Sequence, residues 1–230
     1  MPDPNETTRL LDLVCARLCH DLGGLIGTVG NAMEMVAEDR AGNQPEADNQ
    51  HEEGGQDKEI VAFAVAATRA LTQRLRLLRA ACTAETEPLR LSVLHTLVSS
   101  ALEARRIALD TAGLPAGCVF SPGFGRVVVN VLLLAHDSLP RGGTITVMGR
   151  PGDLVVRIEG PGAGWPVGLM GSLRDAAAML DAAVMLNGEA TRAAQAPLTV
   201  LLALSLGVRL SPVFGPAAPG APLGLRLQET

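Results

Sequence analysis

The sequence predicts an α+β protein in two parts. The first, residues 1–86, is an antiparallel helical hairpin that pairs with a second copy as a dimeric four-helix bundle; the second, residues 87–230, is a two-layer α/β sandwich. Three observations carry this expectation. Apolar residues recur at heptad-like spacing through two long segments that precede Glu87 and Pro88. Beyond that point the period changes, and β-branched runs punctuated by Gly and Pro appear. Hydrophobic residues make up 47% of the 230, yet aromatics are 2% and Tyr is absent, so the core must be built from Leu, Val and Ala, which suits closely packed helices.

In the first helix Leu11, Leu18, Leu25 and Ala32 recur every seven residues, and Cys15, Leu22, Val29 and Val36 recur beside them. That pattern is one buried stripe. Asn5 offers a cap ahead of it, and Gly42 and Pro45 mark its far end. The stretch 41–57, AGNQPEADNQHEEGGQD, holds no apolar residue larger than Ala and reads as a mobile loop. A second helix follows from about Asp57 to Thr83, with Ile60, Ala64, Ala67, Leu71, Leu75, Leu78 and Cys82 as its seam. Counting outward from the loop, Val36 faces Val61 and Cys15 faces Cys82. One hairpin cannot cover both stripes, and a homodimer is the simple solution.

In the second part, 92–106 and 123–139 read as helices separated by the breakers Gly113 and Pro115. Residues 144–148 and 154–158 flank Arg150-Pro151-Gly152-Asp153 and read as a β-hairpin. Helical patterns around 173–186 and 197–206 precede short strands near 208–210 and 223–227. Helices on an antiparallel sheet make the two layers.

Charge narrows the function classes. Glu46, Asp48, Glu52, Glu53 and Asp57 account for the whole formal charge of −5, leaving a neutral body. Such a chain lacks the basic footprint that nucleic acid or an acidic membrane surface requires. Its apolar runs, 127–135 and 198–208, are shorter than the ~20 residues that span a bilayer. The N-terminus MPDPNETTRL is polar and unlike a secretory signal, so a cytoplasmic location is expected, with the four cysteines reduced. Cys15, Cys19 and His20 lack a fourth ligand, and no metal site is expected.

His20 lies about 180° from the centre of the Leu18–Leu22 stripe, at ~100° per residue, and so points to solvent. One and two turns away on that face stand Ala16, Arg17, Gly23, Gly24 and Gly27. Each helical Gly costs roughly 0.5–1 kcal/mol against Ala, so three beside one histidine need a reason. Access for a bulky partner to a protruding imidazole supplies it. Arg17 would then steady an anion, and Asp21 would hold one ring nitrogen while the other acts as nucleophile. On the second helix Arg69, Gln73 and Arg76 form a polar stripe near the level of His20, suited either to solvent or to an acidic partner.

The stretch VCARLCHDLGGLIGTVGNAMEMV resembles the phosphoacceptor box of dimerising histidine phosphotransfer domains, most closely the ChpT-type histidine phosphotransferases of bacterial cell-cycle relays. Cys-His-Asp-Leu on a long helix, an Asn eleven residues later, and a second helix ending in QRLRLLRAA carry the likeness. Farther on, FGRVVVNVLLLAHDSLPRGGTITV resembles the helix and hairpin of that family's second domain, a degenerate kinase ATPase fold. An active kinase would carry Asn-x-x-x-Asn in that helix; here Asn130 is followed by Leu134. Its Asp-x-Gly-x-Gly is replaced by the Asp-less Ile158-Glu-Gly-Pro-Gly-Ala-Gly164. The resemblance implies a phosphotransferase acting through a phosphohistidine on His20, with Asp21 its polar neighbour. Its implied partners are response-regulator receiver domains and the receiver of a hybrid kinase. No cofactor of its own is expected, the Mg²⁺ belonging to the partner receiver. Two rivals stand beside this reading: an ATP-dependent sensor kinase with a divergent nucleotide site, which tight ATP binding would reveal, and a non-catalytic scaffold, which would take no phosphoryl group from any receiver.

Overall fold

The structure, a computed structural model, describes residues 19, 22–24, 26–31, 33–35, 53–84, 86–179, 194–215 and 222–230. Residues 22–24, 26–31 and 33–35 are helical and are referred to as α1. A 30-residue helix, α2, spans Glu53–Cys82 and begins ahead of the expected Asp57. The rest of the expected loop, residues 41–52, lies outside the described residues.

The remaining order is β1 (Leu89–Arg90), α3 (Leu91–Ala104), β2 (Ile107–Gly113), β3 (Val119–Phe120), α4 (Pro122–Asp137), β4 (Gly143–Arg150), β5 (Asp153–Glu159), α5 (Leu169–Arg174), α6 (Gln195–Ser205), β6 (Val208–Phe214) and β7 (Pro222–Glu229). Residues 176–179 are also helical, and the rest of the helical pattern expected to 186 lies outside the described residues. Five strands form a sheet in the order β2-β4-β5-β7-β6, while β1 and β3 pair separately. The sheet is mixed rather than antiparallel, because β2 runs parallel to β4. In sequence β2 is only IALDTAG, ending on a glycine, and it gave too little alternation to read as a strand.

Period-2 alternation sends Ile145, Val147, Leu154, Val156, Leu225 and Leu227 to one face, where all six are fully buried. Register locks that face: Val147 is opposite Val156, and Val156 is opposite Leu225. The β4–β5 turn occurs as expected, with Pro151 and Gly152 between the paired Arg150 and Asp153. Gly152 at φ 83° supplies the left-handed residue that such a turn demands. Outside the core, Arg226 grips Asp153 with two hydrogen bonds of 2.9 Å and holds its carboxyl below the usual range.

Against the apolar face lies α4, buried on nearly all sides. Ser121 caps it by accepting from the Phe124 N–H, Pro122 opens its first turn, and the Ser121 hydroxyl donates to Glu229 on β7. The core continues into the end of α2, since Leu77 and Ala81 pack in one cluster with Leu94, Val98 and Val128. The 86/87 point expected to separate two domains falls in the short connection just after that packed end. Two contact faces on one helix explain why Leu77 is buried although it lies outside the predicted seam.

Candidate functional site

Of the residues singled out in sequence, His20, Asp21 and Arg17 lie outside the described residues, as does Cys15. The turns that follow position 20 are described. Gly23, Gly24 and Gly27 are all exposed, and a Cβ added at any of them would meet no atom within 4 Å. At ~100° per residue all three fall within about 60° of position 20 around the helix axis. The Thr28 hydroxyl donates to the Gly24 carbonyl at 2.9 Å. This back-bond occupies a carbonyl of the glycine-rich turn with a side chain of the same helix, a detail that sequence reasoning missed.

On α2 the three expected polar residues share one face at i, i+4 and i+7. Arg69 and Arg76 are exposed and Gln73 is half-buried. Ile60, Ala64, Ala67 and Leu78 of the predicted seam are buried, whereas Leu75 and Cys82 are exposed in the single chain.

At the C-terminal end of α2 sits a polar cluster with no local sequence signal. Arg126 Nε donates to the Ala81 carbonyl at 3.0 Å, and Arg126 Nη2 donates to the Cys82 carbonyl. Asn130 Nδ2 donates to the same Ala81 carbonyl at 2.9 Å and to the Arg126 carbonyl at 3.0 Å. The asparagine singled out for its kinase-like position therefore caps a helix.

Around the opposite end of α4, Leu134 is 1% exposed, so its side chain is core. Ser138 donates to the Leu134 carbonyl at 2.7 Å, and its own carbonyl accepts from the Gly164 N–H at 3.1 Å. That bond ties the Gly160–Gly164 loop to the helix end, and the next residue, Trp165, is buried. A hydrocarbon at 134 offers nothing to a cation that demands oxygen ligands. Among the described residues no group of three or more His, Cys, Asp and Glu side chains could hold a metal ion. His95 is satisfied by Thr111 at 3.0 Å, and His136 by Asp137 at 3.0 Å. Burial raises the Cys118 thiol pKa, which makes it a poor nucleophile.

The profile of the histidine phosphotransferase C-terminal domain matches residues 93–214, more than half of the chain. The chain belongs to the histidine phosphotransferase family. A solved bacterial phosphotransferase is similar to it over 95% of both chains, with 20% identity and a TM-score of 0.66, which shows a shared fold. Full-length ShkA in complex with AMPPNP is 15% identical, covering 92% of this chain and 44% of that one at a TM-score of 0.36. The histidine kinase AdeS of Acinetobacter baumannii is 8% identical, covering 92% and 98% at 0.35. No curated protein matches. The chain joins a five-stranded mixed sheet to a 30-residue helix. Among its described residues no helix is long and apolar enough to cross a membrane.

Proposed function

We propose that this histidine phosphotransferase is the intermediate of a bacterial two-component phosphorelay. His20 takes a phosphoryl group from the aspartate of one receiver domain, that of a hybrid kinase included, and yields it to the aspartate of another. The observation that carries the reading is the bare helix surface at Gly23, Gly24 and Gly27, which leaves a large partner room to reach position 20. A free ring nitrogen of His20 attacks phosphorus in line: the P–N bond forms as the P–O bond breaks, and the electron pair leaves with the aspartate carboxylate. Asp21, bonded to the other ring N–H, stabilises the positive charge the imidazole acquires. Arg17 steadies the phosphoryl oxygens, and Arg69, Gln73 and Arg76 meet the acidic receiver.

The chain needs no ATP and no metal of its own, since the receiver brings the Mg²⁺. Buried Leu134, the Asp-less segment from Ile158 to Gly164, and the loop tied to Ser138 all support this. A homodimeric four-helix bundle, working in the cytoplasm, completes the proposal. Ile26, Met33, Met35, Val61, Phe63, Val65 and Leu75 stand between 44% and 57% exposed in the single chain, and a second copy gives them cover. Incubation with a panel of ³²P-labelled phospho-receivers tests the reading. An acid-labile label that mass spectrometry places on His20 is expected; a chain that no receiver labels would overturn it.

A further inference from the structure

We propose that Arg126 and Asn130 are positioning residues. They clamp the sheet domain to the end of α2 at one fixed angle and so keep it from swinging across the face on which a receiver docks. The functional half of this inference rests on the phosphotransfer reading; the mechanical half does not.

The last carbonyls of a helix have no intrahelical partner. Here the Ala81 carbonyl receives two donors, Arg126 Nε at 3.0 Å and Asn130 Nδ2 at 2.9 Å, and the Cys82 carbonyl receives Arg126 Nη2. A guanidinium also places positive charge on the negative end of a 30-residue helix dipole. The bond from Asn130 to the Arg126 carbonyl, 3.0 Å, fixes the two donors relative to each other. Their base is rigid, since Val127, Val128, Val129 and Val131 on the same helix are fully buried. Leu77 at 1% and Ala81 at 4% exposure cover the joint with apolar packing. Domains joined by a short linker move by default unless their interface holds them. Three hydrogen bonds from two residues on one helix, aimed at the last carbonyls of another, are such a hold.

The consequence is a population effect. If the docking-competent angle is held only a tenth of the time, the apparent affinity for a receiver falls about tenfold while the chemistry of the bound state is untouched. The test uses the full chain with Arg126→Ala, Asn130→Ala, both together, and Arg126→Lys. Three quantities are read: KM and kcat for a ³²P-labelled phospho-receiver that the wild type accepts, His20 phosphorylation by phosphoramidate, and hydrogen exchange over residues 75–84. The double variant should raise KM about tenfold with kcat and the phosphoramidate rate within threefold of wild type, while exchange at 75–84 speeds up. Arg126→Lys, which keeps the charge on the helix end, should recover most of the KM. Unchanged exchange would show that no clamp exists, and faster exchange with an unchanged KM would show that it holds structure only; either overturns the proposal. Should the double variant melt, the comparison of Arg126→Lys with Arg126→Ala decides. A wild type that takes no label from any receiver defeats the phosphotransfer reading instead, and hydrogen exchange still decides the clamp.

Discussion

The apolar stripe expected on the first helix carries Leu11, Leu18 and Leu25, whereas the turns that follow His20 carry glycine at 23, 24 and 27. That contrast separates stability from function at the level of single residues. His20→Ala removes a side chain expected on the polar face and installs the better helix former, so stability should change by no more than ~0.5 kcal/mol while phosphoryl acceptance disappears. Urea melts alongside labelled transfer check both halves. Gly24→Leu leaves the imidazole chemically intact but fills an open turn. Transfer from a receiver should slow severely while phosphoramidate still labels His20, and wild-type transfer rates would contradict the docking argument. Asp153 offers a pH prediction. The Arg226 hydrogen bonds hold its folded pKa below the unfolded value, so their contribution is present above the unfolded carboxylate range and is lost as pH falls through the folded value. Arg226 is exposed and Asp153 only half-buried, which keeps the effect small and salt-screened. Measured at low salt, the stability gap between wild type and Asp153→Asn should shrink as pH drops; a gap constant with pH would remove the ion pair from the account.

At the scale of elements, how much could be read from the sequence depended on length and periodicity. Helices α2, α3 and α4, the β4–β5 hairpin with its Pro-Gly turn and the two final strands were legible because each carries a run long enough to show its period. β1 and β3 have two residues each and cannot show one. β2 was missed for its short alternation, and with it the parallel pairing to β4. The candidate site divides the same way. Local spacing around His20 was visible, but Arg126 reaches a carbonyl 45 residues away, and no window of sequence holds that contact. Gly143, at the start of β4, supplies the element-scale prediction. It sits at φ 142°, and an added Cβ would collide with the Glu159 carbonyl. Gly143→Ala should cost about 2–4 kcal/mol from backbone strain and steric overlap, read as a lower denaturation midpoint. A change below 0.5 kcal/mol would mean that the start of β4 relaxes freely.

On the scale of the whole molecule, the apolar residues left exposed on α1 and α2 define what a second copy would cover in the proposed dimer. Phe63, 56% exposed in the middle of α2, is the most telling of them. Phe63→Glu should turn a dimer into a monomer by light scattering at micromolar concentration, because a carboxylate in a bundle core is desolvated without a partner. A wild-type monomer would contradict the bundle. The sheet domain, with Leu134 buried and its glycine loop tied down, should take no part in nucleotide chemistry and should give no heat with Mg·ATP in calorimetry. Everything then turns on whether phosphate moves through this chain without ATP. A labelled phospho-receiver and an unlabelled second receiver, mixed in ATP-free buffer, answer that question in one measurement. Label should reach the second receiver only when the wild-type chain is added and not when His20→Ala is added. Transfer that His20→Ala supports equally, or none with either chain, would contradict the assignment.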